Sequence, residues 1–166
     1  MVTNIRVNCG IPQHGIEEFL LVDAEDIKID AGGYEVSTYF FAGVPILVEC
    51  YKMTSQVTET LQVLDGSVAM KQTVIFNIFD KTKYAELISG LANRRFVVFA
   101  KHRELGLYKV YGAYCGLEIA SADIDSNDAG GYAKISLSTP EGAQGEMSLT
   151  ATSAIYNTIK SSISSN

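Results

Sequence analysis

The residues from Val68 to Ile119 constrain the fold of this chain more than any other stretch. They read as a long strand (VAMKQTVIFNIF), one amphipathic helix (DKTKYAELISGLANRR) and two further strands (FVVFAK and LYKVYGAYCGLEI). A single helix between hairpin strands predicts a mainly β protein of the α+β class with one packed helix. The stretch carries no motif of enzyme chemistry, which indicates a protein that packs and assembles.

The helix of this stretch is predicted to span residues 81–93. Asp80 is a favourable N-cap residue, because its side chain can accept a hydrogen bond from the first turn. Four apolar residues follow at positions i, i+3, i+4 and i+7, which is the spacing of one helical face. This stripe, which we expect to pack against the sheet, consists of Tyr84, Leu87, Ile88 and Leu91.

A long β-hairpin is predicted before the helix. Asp65 and Gly66 are the strongest turn signal in the chain, since a type I′ turn needs two residues that tolerate positive φ. They would join residues 57–64 to residues 67–79, and the second strand is long for a globular protein. Such a hairpin can extend past the body and reach a neighbouring subunit. The candidate inter-subunit contacts are therefore Leu61, Val63, Asp65, Gly66 and Val68, with Ile11 and Pro12 of the N-terminal segment.

The chain of 166 residues is predicted to form one domain with two terminal segments. Residues 1–15 resemble an extended arm, because glycine and proline interrupt any regular element. Residues 16–145 would form the single β-barrel or sandwich domain. Residues 146–166 carry apolar residues at near-helical spacing, which suits either a short helix or an arm that becomes ordered on assembly.

The stretch from residue 34 to residue 41 alternates with a period of two, as a strand does. This alternation assigns Val36 and Phe40 to one face and Tyr39 and Phe41 to the other. Aromatic residues on both sides predict that both faces of this strand are covered.

The composition excludes several classes of function. Thirteen basic and nineteen acidic residues give a formal charge of −6, which argues against charge-driven binding to DNA and favours a surface to which DNA does not adhere. Cys9, Cys50 and Cys115 are widely spaced, so we expect free thiols in a reducing cytoplasm and neither a zinc site nor a disulfide framework. We expect no secretory signal in MVTNIRVNCG, and no apolar stretch approaches membrane-spanning length.

One segment partly matches a calcium loop. Asp123, Asp125 and Asn127 occupy the first three ligand positions of an EF-hand. Asp128 stands where the loop needs glycine, and Lys134 stands where it needs glutamate. The three residues are therefore a weak calcium candidate, and a polar β-turn explains them better.

Catalytic chemistry is not indicated elsewhere. His14 and His102 are not at ligand spacing, and the chain has no nucleophile elbow, phosphate-binding loop or dinucleotide fingerprint. A hydrolase site built from the acidic residues between Glu17 and Asp26 is conceivable, but charged residues are also how sheet edges avoid wrong pairing. We expect no catalytic residue and no cofactor. Nine tyrosines leave a sugar-binding surface open, although the absence of tryptophan weakens that idea.

Three stretches resemble structural proteins of tailed bacteriophages that infect Bacteroidetes, the crAss-like group and related prophages. They are NCGIPQHGIEEFLLVDAEDI, TVIFNIFDKTKYAELISGLANRRFVVFAKH and YKVYGAYCGLEIASADIDSNDAGGYAKISLSTPEG. The likeness covers roughly residues 5–145 and rests on turn and strand patterns without an active-site signature.

This resemblance implies a tail or neck component with a tail-tube-like β-barrel or sandwich. Its function would be to form a homo-oligomeric ring or tube segment through which DNA passes without specific binding. Its partners would be further copies of itself and adjacent tail or portal-side ring proteins, assembled in the host cytoplasm into the virion. The alternatives are a carbohydrate-binding or adhesion sandwich and, third, a small hydrolase.

Overall fold

Strands make up most of the structure, a computed structural model that describes residues 15–50, 54–79, 83–104, 106–124, 132–143 and 145–165. The mainly β, α+β class predicted from the sequence is confirmed. The strands are β1 (Ile16–Asp23), β2 (Ile27–Gly32), β3 (Glu35–Phe41), β4 (Ile46–Glu49), β5 (Gln56–Leu64), β6 (Ser67–Ile78), β7 (Arg95–His102), β8 (Tyr108–Tyr111), β9 (Leu117–Ile124), β10 (Ala133–Ser138) and β11 (Leu149–Ala151).

Two helices accompany the strands in the part of the chain that the structure describes, where the sequence predicted one packed helix and left a second, C-terminal helix open. Helix α1 spans Tyr84–Leu91 and helix α2 spans Ser153–Ser161, with a short 3-10 turn at Ser162–Ser165. Thr152 caps α2, because its side-chain oxygen accepts a hydrogen bond from the Ile155 amide at 3.3 Å.

The strands form one mixed, open sheet that divides at β7. One edge of β7 pairs with β1, and β1 pairs in turn with β4. The other edge pairs with β8 over residues 98–101 and with β9 over residues 95–96. One branch then runs β8-β11-β3-β2, and the other runs β9-β10-β6-β5. Only β11 and β3 pair in parallel among the described strands. In the same part of the chain, β2, β4 and β5 each pair along one edge only.

Strands β1 and β7 are buried on both faces and separate two hydrophobic cores. Phe19 and Leu21 point into the first core, whereas Leu20 and Val22 point into the second. Burial on both faces explains why these strands read as continuous apolar runs and show no alternation. Strands β6, β9 and β10 with helix α1 cover the first core, and β2, β3, β8 and β11 with α2 cover the second.

Helix α1 packs on the first core through three of the four residues of the predicted stripe. Leu91 is fully buried, and Leu87 and Ile88 pack at the margin of the core. The described helix is shorter than the predicted 81–93, since the backbone is extended at Ala92 and Asn93 has a positive φ of 61°. Asp80, the predicted N-cap, lies outside the described residues.

The C-terminal segment is part of the domain. Strand β11 lies between β8 and β3, so residues after 145 complete one branch of the sheet. Tyr156 and Ile159 of α2 are buried in the second core. Of the two possibilities left open for residues 146–166, the structure has the short helix, and it packs within a single subunit.

The predicted alternation of β3 is interrupted by a β-bulge. Asp30 pairs with Thr38 and Ala31 pairs with Val36, so the register skips Ser37, whose hydroxyl donates a hydrogen bond to the Asp30 carbonyl at 2.8 Å. A bulge reverses the side-chain phase, and Val36 therefore joins the core that Tyr39 and Phe41 also contact. The expectation that both faces of β3 are covered is wrong, because Phe40 is 66% exposed.

We expect Phe99→Ala to lower the free energy of unfolding by about 4 kcal/mol, because Phe99 of β7 is buried in the second core and its loss leaves a cavity. Phe40→Ala is the matched control and should change it by less than about 0.5 kcal/mol. Urea denaturation of both variants measures the difference. Equal effects would contradict the central position assigned to β7.

Candidate assembly surface

The predicted hairpin is present as β5 and β6. Nine residue pairs run without a register shift from Gln56 opposite Ile75 to Leu64 opposite Ser67. Asp65 and Gly66 form the two-residue turn, and both have positive φ, 44° and 84°. This is the geometry that their sequence predicted.

The end of the hairpin extends past the strand beside it. Strand β10 pairs with β6 only between Thr73 and Ile78. Further along, Thr139 exchanges hydrogen bonds with Gln72, and the Met70 amide donates to the Gly145 carbonyl at 3.0 Å. Beyond this point, β5 is the only described strand that pairs with β6. We call residues 61–70 the arm.

One face of the arm is apolar and exposed. Leu61, Val63 and Val68 are 60%, 71% and 60% exposed. Side chains two residues apart share a face of a strand, so Val68 lies on the same side of β6 as Val74 and Phe76 of the first core. The patch is therefore the uncovered continuation of a face that is fully buried further along the same strand. Ile11 and Pro12, the other predicted contacts, lie outside the described residues.

A polar network separates the arm from the buried part of the hairpin. Gln72, which is 3% exposed, donates to Glu59 Oε1 at 3.1 Å and accepts from the Gly112 amide at 2.7 Å. Glu59 also accepts from the Ser148 amide at 2.7 Å and from the Ser148 hydroxyl at 2.9 Å. These bonds attach the base of the arm to the turn after β8 and to the segment before β11. In the sequence, Glu59 interrupts the alternating apolar positions Val57, Leu61 and Val63, and nothing else there indicates this network.

An apolar groove lies at the opposite end of β6, between β4, the end of β6 and helix α1. Its volume is about 810 Å³. The apolar part of its lining comes from Ile46, Leu47, Val48, Ile78, Phe79, Leu87 and Gly90, and the polar part from Glu49, Asn77, Lys83 and Glu86. Sequence reasoning missed this groove, because its lining comes from three segments that are distant in the chain.

The acidic residues near the N-terminus contact basic residues of the body. Glu17 accepts a hydrogen bond from Lys101 at 2.9 Å, and this contact raises the pKa of the lysine. Asp23 accepts from Arg94 at 3.3 Å. Both pairs are partly exposed, so each contributes little to stability.

Glu18 is the buried member of this acidic group and holds helix α2 in place. Its carboxylate accepts from the Tyr156 hydroxyl at 3.0 Å and from the Lys160 ammonium at 2.7 and 2.8 Å. Burial raises the pKa of Tyr156, and the neighbouring Glu18 adds to the effect. The hydroxyl therefore remains a donor throughout the neutral range, so the carboxylate that was a candidate catalytic acid is engaged in a structural contact.

Only part of the calcium candidate lies within the described residues. Asp123 lies in β9 with Lys134 of β10 as its cross-strand partner, and these are the first and last positions of the hypothetical loop. Asp125 and Asn127 lie outside the described residues. Within the ranges that the structure describes, no group of three or more His, Cys, Asp or Glu side chains is placed to hold a metal ion.

The histidine and cysteine side chains that the structure describes are half-buried. His102 Nε2 lies 3.3 Å from the Tyr111 hydroxyl, and burial lowers the pKa of the imidazole. Cys50 and Cys115 are free thiols, and burial raises the pKa of each. A raised pKa keeps a thiol protonated and therefore a poor nucleophile.

Comparison of the chain with protein families, with curated proteins and with solved structures gave no match. No helix in the described part of the chain is long and apolar enough to cross a membrane.

We expect Lys160→Met to lower the free energy of unfolding by about 2 kcal/mol, because it leaves Glu18 buried without its cation. The value is reduced for the partial exposure of the lysine. Adding Glu18→Gln should recover most of the loss, since the glutamine amide would still accept from Tyr156 and carries no charge. Urea denaturation of the single and double variants measures the coupling, and additive effects would contradict it.

Proposed function

We propose that this chain is a virion structural protein that forms a homo-oligomeric ring or tube segment of a phage tail or connector. The observation that carries the proposal is the arm, where Leu61, Val63 and Val68 extend a core face into solvent. Exposed apolar patches of this kind mark contacts with other protein surfaces. The resemblance of the sequence to phage tail and neck proteins supports the same assignment.

The sheet topology supports a tail-tube-like role for the branch that carries the arm. In this proposal the path β4-β1-β7-β9-β10-β6-β5 forms a barrel-like wall around the first core. Strands β4 and β5 end this path, and each has one edge without a partner in the described part of the chain. Unpaired edges are where neighbouring subunits can add strands and close a ring.

The charge of the chain supports a channel for DNA. A net charge of −6 disfavours adhesion of the phosphate backbone, so DNA can pass without being bound. In the proposal, the contacts of the subunit are further copies of itself and adjacent ring proteins of the tail or portal side. Assembly takes place in the cytoplasm of the bacterial host.

The test is assembly of the purified protein, followed by native mass spectrometry and electron microscopy of the same sample. We expect closed rings or stacked tubes from the wild type. Replacing Asp65 and Gly66 with two valines should leave monomers, because β-branched residues do not tolerate the positive φ of this turn. Gly33→Val is the matched control, since it introduces a similar strain into the turn between β2 and β3.

Normal rings from the valine variant would contradict the role of the arm. A wild type that stays monomeric and is retained by a glycan array would instead favour the carbohydrate-binding alternative. Tyr34 and Tyr114 are the exposed tyrosines to test in that case, since both are more than half exposed.

A further inference from the structure

We propose that the arm of one copy docks in the groove of the next copy, between β4 and helix α1. This inference rests on the proposed function and names the receiving surface, which the sequence did not indicate. The contact is heterologous, because two different surfaces of the same chain meet. Heterologous contacts repeat from copy to copy and generate rings or tubes.

The arm and the groove are complementary in chemistry. The arm presents Leu61, Val63 and Val68 on a projecting hairpin. The groove offers an apolar lining from β4, the end of β6 and α1 in a volume of about 810 Å³. Both surfaces border the first core. The apolar side chains of the arm lie on the same face of the hairpin as Val74, and Val48 lines the groove.

An arm cannot occupy the groove of its own chain. Val68 and Ile78 stand ten residues apart on the regular strand β6, which separates them by about 33 Å. The bonds of Gln72 to Glu59 and Gly112 also fix the base of the arm to the body. An arm that occupies the groove must therefore come from a second copy.

Opposite charges stand at the tip of the arm and on the lining of the groove. Asp65 stands at the tip of the arm. The polar lining of the groove includes Lys83 beside Glu49 and Glu86. The Asp65 carboxylate can therefore pair with the Lys83 ammonium when the arm enters the groove, which favours this occupant over a strongly basic ligand.

The unpaired edge of β4 adds a backbone contribution. β4 pairs with β1 through Ile46–Glu49, and its other edge has no partner strand among the described residues. β5 likewise pairs only with β6 in that part of the chain. An incoming hairpin can therefore add main-chain hydrogen bonds to the apolar contact, as in other cases of strand addition.

Gly90 provides a direct test of the groove. It lies on the helix side of the groove, and a Cβ atom added there meets nothing within 4 Å. Gly90→Phe should therefore fill part of the groove without disturbing its own subunit. Gly90→Ala is the matched control, because alanine favours the helix and leaves the groove open.

Val63→Asp provides the complementary variant, since it places a charge on the apolar face of the arm and leaves the groove intact. Phe40→Asp is its control, because Phe40 is similarly exposed and lies opposite Lys28 of β2. Circular dichroism and thermal unfolding should show that all four variants fold.

Native mass spectrometry of the variants, alone and mixed, distinguishes the possibilities. We expect Gly90→Phe and Val63→Asp each to weaken assembly at least tenfold in concentration, and both controls to assemble normally. An equal mixture of the two weakened variants at high concentration should give 1:1 heterodimers of two 18.0 kDa chains, because one intact arm then meets one intact groove. These heterodimers cannot grow further.

Two results would overturn the inference alone. One is normal ring formation by Gly90→Phe, and the other is a mixture that yields no heterodimer although the wild type assembles. A wild type that stays monomeric at every concentration would overturn the proposed function and the inference together.

Discussion

The pairing of β1 with β7 is the contact on which the rest of the structure depends. Seven residue pairs join the two strands, and both faces of the pair are buried. Two strands that are apolar on both sides need a covering layer on each side. The chain meets this requirement with two sets of strands and one helix for each core, which is why the sheet divides at β7.

Each branch of the divided sheet covers one of the two hydrophobic cores. The branch that ends in β2 closes the second core, and Glu18 of β1 ties α2 onto it through Lys160 and Tyr156. The branch that ends in β5 closes the first core with half of the long strand β6. The other half extends past β10 and exposes Val68, and the bonds of Gln72 mark the boundary between the two halves. A buried polar network at this position fixes the direction of the arm, because any displacement would leave its groups unsatisfied.

The features that could be predicted from the sequence are those that depend on residues close together in the chain. The turn at Asp65 and Gly66 depends on two residues, and the stripe of α1 depends on one helical period. The bulge at Ser37 could not be read, because it is defined by the register with β2. The same holds for the parallel pairing of β11 with β3 and for the groove, which unite segments far apart in the chain. The hairpin of the candidate surface was predicted because it is local, and the groove was missed because distant segments form it.

The size of the exposed patch limits how strongly the proposed contact can hold two copies together. Covering Leu61, Val63 and Val68 would contribute roughly 3–6 kcal/mol before the loss of rigid-body freedom is subtracted. A single contact of this kind would be weak, so two free copies would separate readily. In the proposed ring every copy would both donate an arm and receive one, and the contacts would reinforce each other because the last one forms within a single particle. Asp65 at the tip and Lys71 near the base place charges on the unpaired hairpin, which disfavours its stacking on others in the meantime.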